Sequence, residues 1–233
     1  MDMSALTPNP GKDLVIKTSF GDFARYPVKT KLVESGDSIP AILDDSAMPY
    51  VQKGDMIFIS EKIIAISQGR AFDIDDIHPS KLATFLSKFV YKSPYGIGLG
   101  MPETMELALR DVGKAKILFA AFCSAVTKPF GVRGVFYKIA GTGARAIDGP
   151  CDCTIPPYNH CAKLAPKDPD KVARELKKHT GCDVVIMDAN DIGREILGRS
   201  DDTISIEMCK EIFADNPLGQ GSQQTPVCII RKV

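Results

Sequence analysis

Oxygen-bearing side chains follow an apolar run in the last third of the chain. Residues 184–187 are all apolar, and Asp188, Asn190 and Asp191 come directly after them. Such a run predicts a buried strand, and ligands bind outside the carboxyl ends of buried strands. Carboxylate and amide oxygens suit a hard cation such as Mg2+, which commonly holds nucleotide phosphates. The three residues are therefore candidate metal ligands, and a turn rich in Asp and Asn is the alternative.

Two further stretches carry groups that suit a phosphate. The polar loop 219–226 contains Gly219 and Gln220 between a predicted helix and a predicted strand, and its backbone amides can cradle an anion; an ordinary connection is the alternative. Lys62 follows the apolar run 56–60 and is a candidate to reach a phosphate, whereas an exposed lysine is the alternative.

A glycine motif in the middle of the chain resembles a dinucleotide-binding pattern. Gly141, Gly143 and Ala146 fit G-x-G-x-x-A after a predicted strand. That fingerprint needs a helix directly after it to meet the pyrophosphate, but residues 148–150 (Asp-Gly-Pro) break the chain at once. The stretch therefore favours a flexible glycine turn.

The next loop combines thiols, an imidazole and carboxylates. Possible zinc ligands are Cys151, Cys153, His160 and Cys161. Their spacing lacks the paired C-x2-C knuckles of common zinc sites, so free cysteines are favoured over zinc. Asp148 and Asp152 in the same loop are candidate oxygen ligands, with turn residues as the alternative.

Hydrophobic periodicity predicts the elements that must position these groups. We expect strands at 14–16, 23–28, 56–60, 134–140, 182–187 and 227–230, and helices at 80–90, 102–112, 168–181 and 203–213. The run 117–126 is ambiguous, although its alanines favour a helix, and residues 1–12 are expected to fray. Strands and helices mix without strict βαβ alternation, which predicts an α+β fold with mixed sheets.

Composition narrows the class of protein. The chain has 233 residues, 44% hydrophobic and 25% charged, as in globular proteins. Its formal net charge is zero, so bulk electrostatics favour no nucleic-acid or membrane partner, although a local basic patch stays possible. No signal-peptide pattern is recognised, and seven cysteines suggest free thiols in a reducing cytoplasm. We therefore expect a cytoplasmic protein.

Several stretches together resemble the family of coenzyme F-420 (deazaflavin) gamma-glutamyl ligases, which add glutamate to the coenzyme's side chain at the expense of GTP. Residues 26–37 resemble the family's P-V-x-x and G-D-D-L segments, and 54–64 its G-D-V-L-V-V strand. Residues 166–181 are similar to its P-x-D-P-D helix, 185–190 stand where it has I-I-T-D-T, and 218–227 resemble its M-G-K to P-V close. The match is weakest in 95–150.

The resemblance implies a single ligase-like domain over 1–233, with a variable central segment at about 95–150, that forms a homodimer. It implies a guanine nucleotide held with divalent metals, Mg2+ or Mn2+. Asp188 would be a metal ligand, and Asp152, or Asp148 in another loop register, would be its partner. The residues implied to face the nucleotide are Pro27, Val28, Lys29, Thr30, Gly219 and Gln220.

The sequence also departs from the family. Ile66 and Gln68 stand where the family has lysine and glutamate, and Ala189 replaces the threonine after the metal aspartate. Our leading hypothesis is a ligase, dependent on metal and on GTP or ATP, that joins glutamate or a similar amino acid to a carboxylate acceptor through an acyl phosphate. Arg194 and Lys62 would assist electrostatically. The alternatives are a non-catalytic relative that binds nucleotide or a metabolite, and a zinc protein.

Overall fold

The computed structural model describes residues 6–90, 98–132, 134–152, 154–189, 193–219 and 221–233. The chain forms two compact units. Unit 1 combines Met1–Gly69 with Pro166–Val233, and unit 2 is Arg70–Ala165. The central segment 95–150, where the family resemblance is weakest, falls within unit 2. One ligase-like domain over 1–233 stays a prediction.

The strands, in chain order, are β1 (Val15–Thr18), β2 (Gly21–Val28), β3 (Met56–Ser60), β4 (Ala71–Asp73), β5 (Cys161–Lys163), β6 (Asp183–Ala189), β7 (Arg194–Arg199) and β8 (Val227–Lys232). The helices are α1 (Ile39–Ser46), α2 (Glu61–Ser67), α3 (Lys81–Ser87), α4 (Pro102–Asp111), α5 (Lys114–Thr127), α6 (Val135–Ala140), α7 (Thr142–Arg145), α8 (Pro169–Thr180) and α9 (Ile206–Ile212). None of the helices in the described ranges is long and apolar enough to cross a membrane.

Unit 1 is built on a mixed sheet with the order β1-β2-β8-β3-β6-β7. Strands β3 and β6 pair in parallel, and the other neighbours pair antiparallel. Strands β2, β3 and β6 therefore end at the same edge of the sheet, where β7 and β8 begin. The predicted α+β class with a mixed sheet is confirmed.

The sheet buries both faces. On one face Phe58 stacks on Phe213, just after α9, with ring centroids 4.7 Å apart and planes 12° from parallel. Val185, Met187 and Cys228 pack into the same cluster. Because strand residues alternate, Ile57 and Ile186 lie on the other face, where α2 and α8 contact β3 and β6. Removing a buried ring such as Phe58 is expected to cost about 3–5 kcal/mol.

Helix α8 is fixed to β7 by a close backbone approach. A Cβ on Gly198 would lie 2.5 Å from the backbone carbon of Pro169, so only glycine fits there. The Arg199 amide donates to the Asp170 carboxylate at 2.9 Å. The predicted helix is confirmed, including its end at Gly181, but Asp168 occupies the N-cap at φ 48° and its side chain accepts no capping bond.

The expected fraying of residues 1–12 is wrong for the described part, residues 6–12. Asn9 is buried, and its side-chain amide donates to the Pro217 carbonyl at 2.8 Å and to the Thr225 hydroxyl at 2.9 Å. These partners lie more than 200 residues away, so local sequence carries no sign of them.

Unit 2 has a helical core beside the β4–β5 pair. Helix α5 confirms the helical interpretation of 117–126. The helix predicted at 80–90 is confirmed as α3, which ends at Ser87. Its apolar residues are only partly buried, since Phe85 is 57% exposed and Phe89, just after the helix, is 69% exposed.

The predicted strand 134–140 is wrong, because residues 135–140 form α6. Phe136, Tyr137 and Ile139 pack against the core of unit 2 from a helix, and short apolar runs do not distinguish the two structures. The stretch from Gly141 accordingly follows a helix, and α7 takes the place of the expected glycine turn.

Candidate functional site

One edge of the unit 1 sheet gathers most of the predicted site residues. We call it the strand-end edge: the C-terminal ends of β2, β3 and β6 with the first residues of β7 and β8. The predicted residues at this edge that the structure describes are Pro27, Val28, Lys29, Thr30, Lys62, Asp188, Arg194 and Gly219. All belong to unit 1, although they are spread over almost the whole chain.

The register fixes how this edge is arranged. Val28 pairs with Val227, Val227 with Ile59, and Ser60 with Met187. Neighbouring strands lie about 4.8 Å apart, so the end of β2 lies about 14 Å from the end of β6. A ligand that contacts both ends must be an extended molecule rather than a single ion.

The sequence predicted that Asp188 follows the strand, but in the structure it lies inside β6. It is half-buried and pairs directly with Glu195 on the antiparallel strand β7. Directly opposed residues share a face of the sheet with Cβ atoms about 4.5–5.5 Å apart, and like charges in such pairs repel. Carboxylate oxygens are the ligands that Mg2+ and Mn2+ prefer, and a cation held by this pair stays a prediction.

Sequence reasoning missed Glu195. The strand β7 that presents it was not predicted, since its apolar residues 196 and 197 are adjacent and do not alternate. The available signal was the short interval between the apolar run of β6 and Ile196, which suits a hairpin.

The end of β3 contributes a second missed carboxylate. The Ser60 amide donates to the Pro226 carbonyl at 2.8 Å, and α2 begins at Glu61. Glu61 is only 4% exposed, and buried charges in proteins are paired or coordinate metals. Lys62, the predicted phosphate-reaching lysine, is half-buried in the first turn of the same helix.

The two stretches implied to face a nucleotide are neighbours. The Thr30 amide donates to the Gln224 carbonyl at 3.2 Å, and the Gln224 side chain donates to the Thr30 carbonyl at 2.8 Å. Pro27, Val28 and Thr30 are buried, so Lys29 presents the exposed cation of this stretch.

Gly219 has a conformation that other residues adopt poorly. Its φ is 75°, and a Cβ there would lie 2.8 Å from the Cδ atom of Gln223. Its amide donates to the Asn216 carbonyl at 3.1 Å, and the Asn216 side chain donates back to the Gly219 carbonyl at 3.2 Å. The loop before β8 is therefore held in a defined shape.

Arg194 lies on the other face of the sheet from Asp188. It is the residue before Glu195, and successive strand residues alternate between faces. Its exposed guanidinium donates to the Lys210 carbonyl in α9 at 3.2 Å. A role for Arg194 in catalysis stays a prediction.

The remaining predicted ligands lie elsewhere in the chain. Asn190, Asp191 and Gln220 lie outside the described residues. Asp148 and Asp152 belong to unit 2, where the Asp148 and Lys163 backbones exchange hydrogen bonds of 3.0 and 2.8 Å. A metal site shared by Asp188 with either of them would join two units and stays a prediction.

The loop 151–161, which was weighed as a zinc site, does not consist of free cysteines as expected. Cys151 is disulfide-bonded, which also contradicts the expectation of free thiols at that position. Burial raises the pKa of the Cys161 thiol. His160 instead faces carboxylates, with Nε2 3.2 Å from Asp75 and 3.9 Å from Asp73. The ligand atoms of this exposed group, Asp73, Asp75 and His160, lie within 4.8 Å of one another, and Cys161 is not a member of it. Cys153 lies outside the described residues.

Two departures from the family pattern have structural roles here. Ile66 is buried in α2. The Gln68 side chain accepts from the Lys167 amide at 2.6 Å and donates to the Lys167 carbonyl at 3.0 Å, which joins α2 to the segment before α8.

Comparison with known proteins gives consistent matches. The family model described as F420-0:Gamma-glutamyl ligase matches residues 27–212. An uncharacterized protein of Methanocaldococcus jannaschii is 28% identical over 175 residues, 71% of this chain and 56% of the relative. The chain therefore spans little more than half the length of that relative.

Two curated relatives carry a functional name. The coenzyme F420:L-glutamate ligase of Methanocaldococcus jannaschii is 25% identical over 214 residues, 78% of this chain and 76% of the relative. That of Methanopyrus kandleri is 24% identical over 166 residues, 70% of this chain and 56% of the relative.

Proposed function

The chain belongs to the F420-0:gamma-glutamyl ligase family, and from that membership we propose that it is a ligase that joins glutamate, or a similar amino acid, to a carboxylate acceptor. The reaction uses GTP or ATP with Mg2+ or Mn2+. The acceptor belongs to the class of coenzyme F420 precursors or to a related carboxylate.

The observation that supports this proposal is the convergence at the strand-end edge. Asp188 and Glu195 are paired across β6 and β7 at one end, and at the other end Gln224 of the Gly219 loop is hydrogen-bonded to Thr30, next to Lys29. An acidic end suits a divalent cation and a glycine loop with a cation suits phosphates. The span of about 14 Å suits a metal-bound nucleotide lying along the edge.

The proposed chemistry has two steps. A carboxylate oxygen of the acceptor attacks the γ-phosphorus, the bond to the bridging oxygen breaks, and the nucleoside diphosphate leaves. The amine of the amino acid then attacks the acyl carbon, releases inorganic phosphate and loses a proton. A bound divalent cation supplies neutralisation of charge on the phosphates.

The residues of this chain hold and orient the reactants. Asp188 and Glu195 would hold the cation, and Lys29 and Lys62 would face phosphate oxygens beside the Gly219 loop. Such pre-set groups stabilise developing charge without reorganising.

Calorimetric titration with GTP and with ATP, with and without Mn2+, tests the binding half of the proposal. We expect binding that needs the cation and an at least ~tenfold loss of affinity in Asp188→Asn. Asp183→Asn is the matched control, since it changes an aspartate at the other end of β6, where it pairs with Lys177. Equal affinity in Asp188→Asn and wild type would contradict this site.

Release of inorganic phosphate tests the catalytic half. We expect release that requires both an amino acid and a carboxylate acceptor, with glutamate the best amine. Nucleotide binding without turnover, over a panel of amino acids and acceptors that includes the coenzyme F420 precursor, would contradict the ligase and favour the second candidate.

The second candidate is a non-catalytic relative that binds nucleotide or a metabolite. The specific observation in its favour is that Ile66 and Gln68, at positions of family lysine and glutamate, serve the core and the backbone of this protein. The phosphate-release assay separates the two candidates.

A further inference from the structure

Helix α5 of unit 2 carries an apolar face that is exposed. Of the twelve large apolar side chains exposed among the described residues, six lie between positions 118 and 132. On α5 these are Leu118 (44%), Phe119 (59%), Phe122 (66%) and Val126 (49%), and Phe130 (81%) lies in the turn that follows. We call these five residues the α5 apolar face.

The opposite side of the helix is committed to the core of unit 2. Ile117 and Ala120 are fully buried there. At about 100° per residue, the four exposed side chains of α5 cover an arc of about 100° that does not overlap the buried side. The α5 apolar face is thus a second, separate apolar surface on one helix.

Basic residues border this face. Lys114 and Lys116 precede it and Lys128 lies in the turn before Phe130, and all three are exposed. At the same rotation, Lys114 and Lys116 fall on either side of the apolar arc. Residues 112–147 contain six lysines and arginines and no acidic residue, although the whole chain has a formal net charge of zero.

We propose that the α5 apolar face docks on an anionic lipid bilayer surface. Apolar side chains flanked by lysines are the pattern of helices that lie in the membrane interface, where aromatic rings enter the acyl boundary and lysines meet phosphates. Helix α5 has 14 residues and is about 21 Å long, so it lies along a bilayer rather than across one. The basic residues around the face favour an anionic bilayer over a second copy of the chain. In a dimer through this face, the lysines of one copy would lie close to the same lysines of the other.

Vesicle flotation with the full chain tests this inference. We compare phosphatidylcholine vesicles with vesicles that contain about 30% phosphatidylglycerol. Binding is expected to the anionic vesicles, to weaken with added salt, and to fall at least ~tenfold in F119Q/F122Q because two rings no longer enter the interface. F20Q, which changes an exposed phenylalanine of unit 1, is the control.

A second variant tests the contribution of the lysines that border the α5 apolar face. K114E/K116E should lower binding to anionic vesicles ~30-fold or more and leave the weak binding to neutral vesicles unchanged. K171E/K178E on α8 reverses the same number of lysines elsewhere and should bind more tightly than K114E/K116E.

Three results would overturn the inference: equal flotation with both vesicle types, equal loss in F20Q, or a dimer in solution that F119Q/F122Q dissociates while flotation is absent. The last result would assign the face to a second copy of the chain. Nucleotide affinity, measured on the same variants, is expected to be unchanged, so failure here is distinguishable from failure of the proposed ligase function.

Discussion

Asp188 and Glu195 face each other directly across the antiparallel pair β6–β7. The strands place two carboxylates on one face of the sheet, at the edge where β3 and β6 end in parallel. Opposed like charges lower the stability of a strand pair, and a divalent cation reverses that repulsion. This pair is therefore where the proposed metal dependence is tested most directly.

Replacing Glu195 by Gln is expected to weaken cation binding while keeping the shape of the side chain. Wild-type protein should show a rise in Tm as Mn2+ is added, because a ligand that binds only the folded state stabilises it. In Glu195→Gln we expect an at least ~tenfold higher Mn2+ concentration for the same rise.

The control for this measurement is Glu175→Gln on α8, whose side chain is 60% exposed. It should respond to Mn2+ as the wild type does. An identical Mn2+ response in Glu195→Gln would show that the pair does not hold the cation.

Replacing Gly219 by Ala is expected to disturb the loop before β8. The new Cβ would overlap the Gln223 side chain at 2.8 Å and occupy a backbone with φ 75°. We expect a loss of about 1–2 kcal/mol in the free energy of unfolding and weaker nucleotide binding by calorimetry. Gly221→Ala is the matched control, since its Cβ would lie 3.3 Å from Gln223 and its φ is not positive. Equal effects of both changes would contradict the special role of Gly219.

Glu106 links α4 to the start of α3 in unit 2. Its carboxylate accepts from the Ser80 hydroxyl at 2.6 Å, the Ser80 amide at 3.0 Å and Arg110 at 3.0 Å. Desolvation acts to raise the pKa of Glu106, but the bonds from Ser80 and Arg110 outweigh it and lower the pKa. We expect Glu106→Gln to cost about 1–2 kcal/mol in urea unfolding at neutral pH.

The sign of the pH dependence follows from the lowered pKa of Glu106. The unfolded carboxyl titrates near 4.5, so its stabilising contribution is complete above that pH and is lost as the pH falls through the lower folded value. The difference between wild type and Glu106→Gln should therefore shrink below pH 4.5. Glu34→Gln, at an exposed position, should show no such difference, and a gap that widens in acid would refute the assignment.

The thiols of Cys209 and Cys228 are expected to be inert in the folded protein. Both are fully buried, and desolvation raises the pKa of Cys209 to about 12 and that of Cys228 further. Thiolate is the reactive form, so alkylation at pH 8 followed by mass spectrometry should leave both unmodified until urea is added. The half-exposed Cys123 should be alkylated first. Early modification of Cys209 would mean that the β-sheet face under α9 opens readily.

Local sequence was sufficient for the elements with clear punctuation. Pro169 and Gly181 delimit α8, and the apolar run at 184–187 predicts the buried strand β6. A proline at a helix start and a glycine with positive φ at a helix end are signals that depend only on neighbouring residues. The same local cues made Asp188 a candidate metal ligand, and that role stays a prediction. Local cues failed at residues 135–140, whose apolar run suits a strand or a helix. Packing against the core of unit 2 favours the helix there.

The sequence by itself determined the strands β1, β2, β3, β6 and β8, the helices α3, α4, α5, α8 and α9, and the stretches that carry the family resemblance. Only the tertiary structure decided that β2, β3 and β6 end at one edge, that Glu195 opposes Asp188, and that Glu61 is buried where β3 ends. Strand order and register depend on pairing between residues far apart in the chain, and a shift of one residue would move each side chain to the other face. No local pattern contains that information.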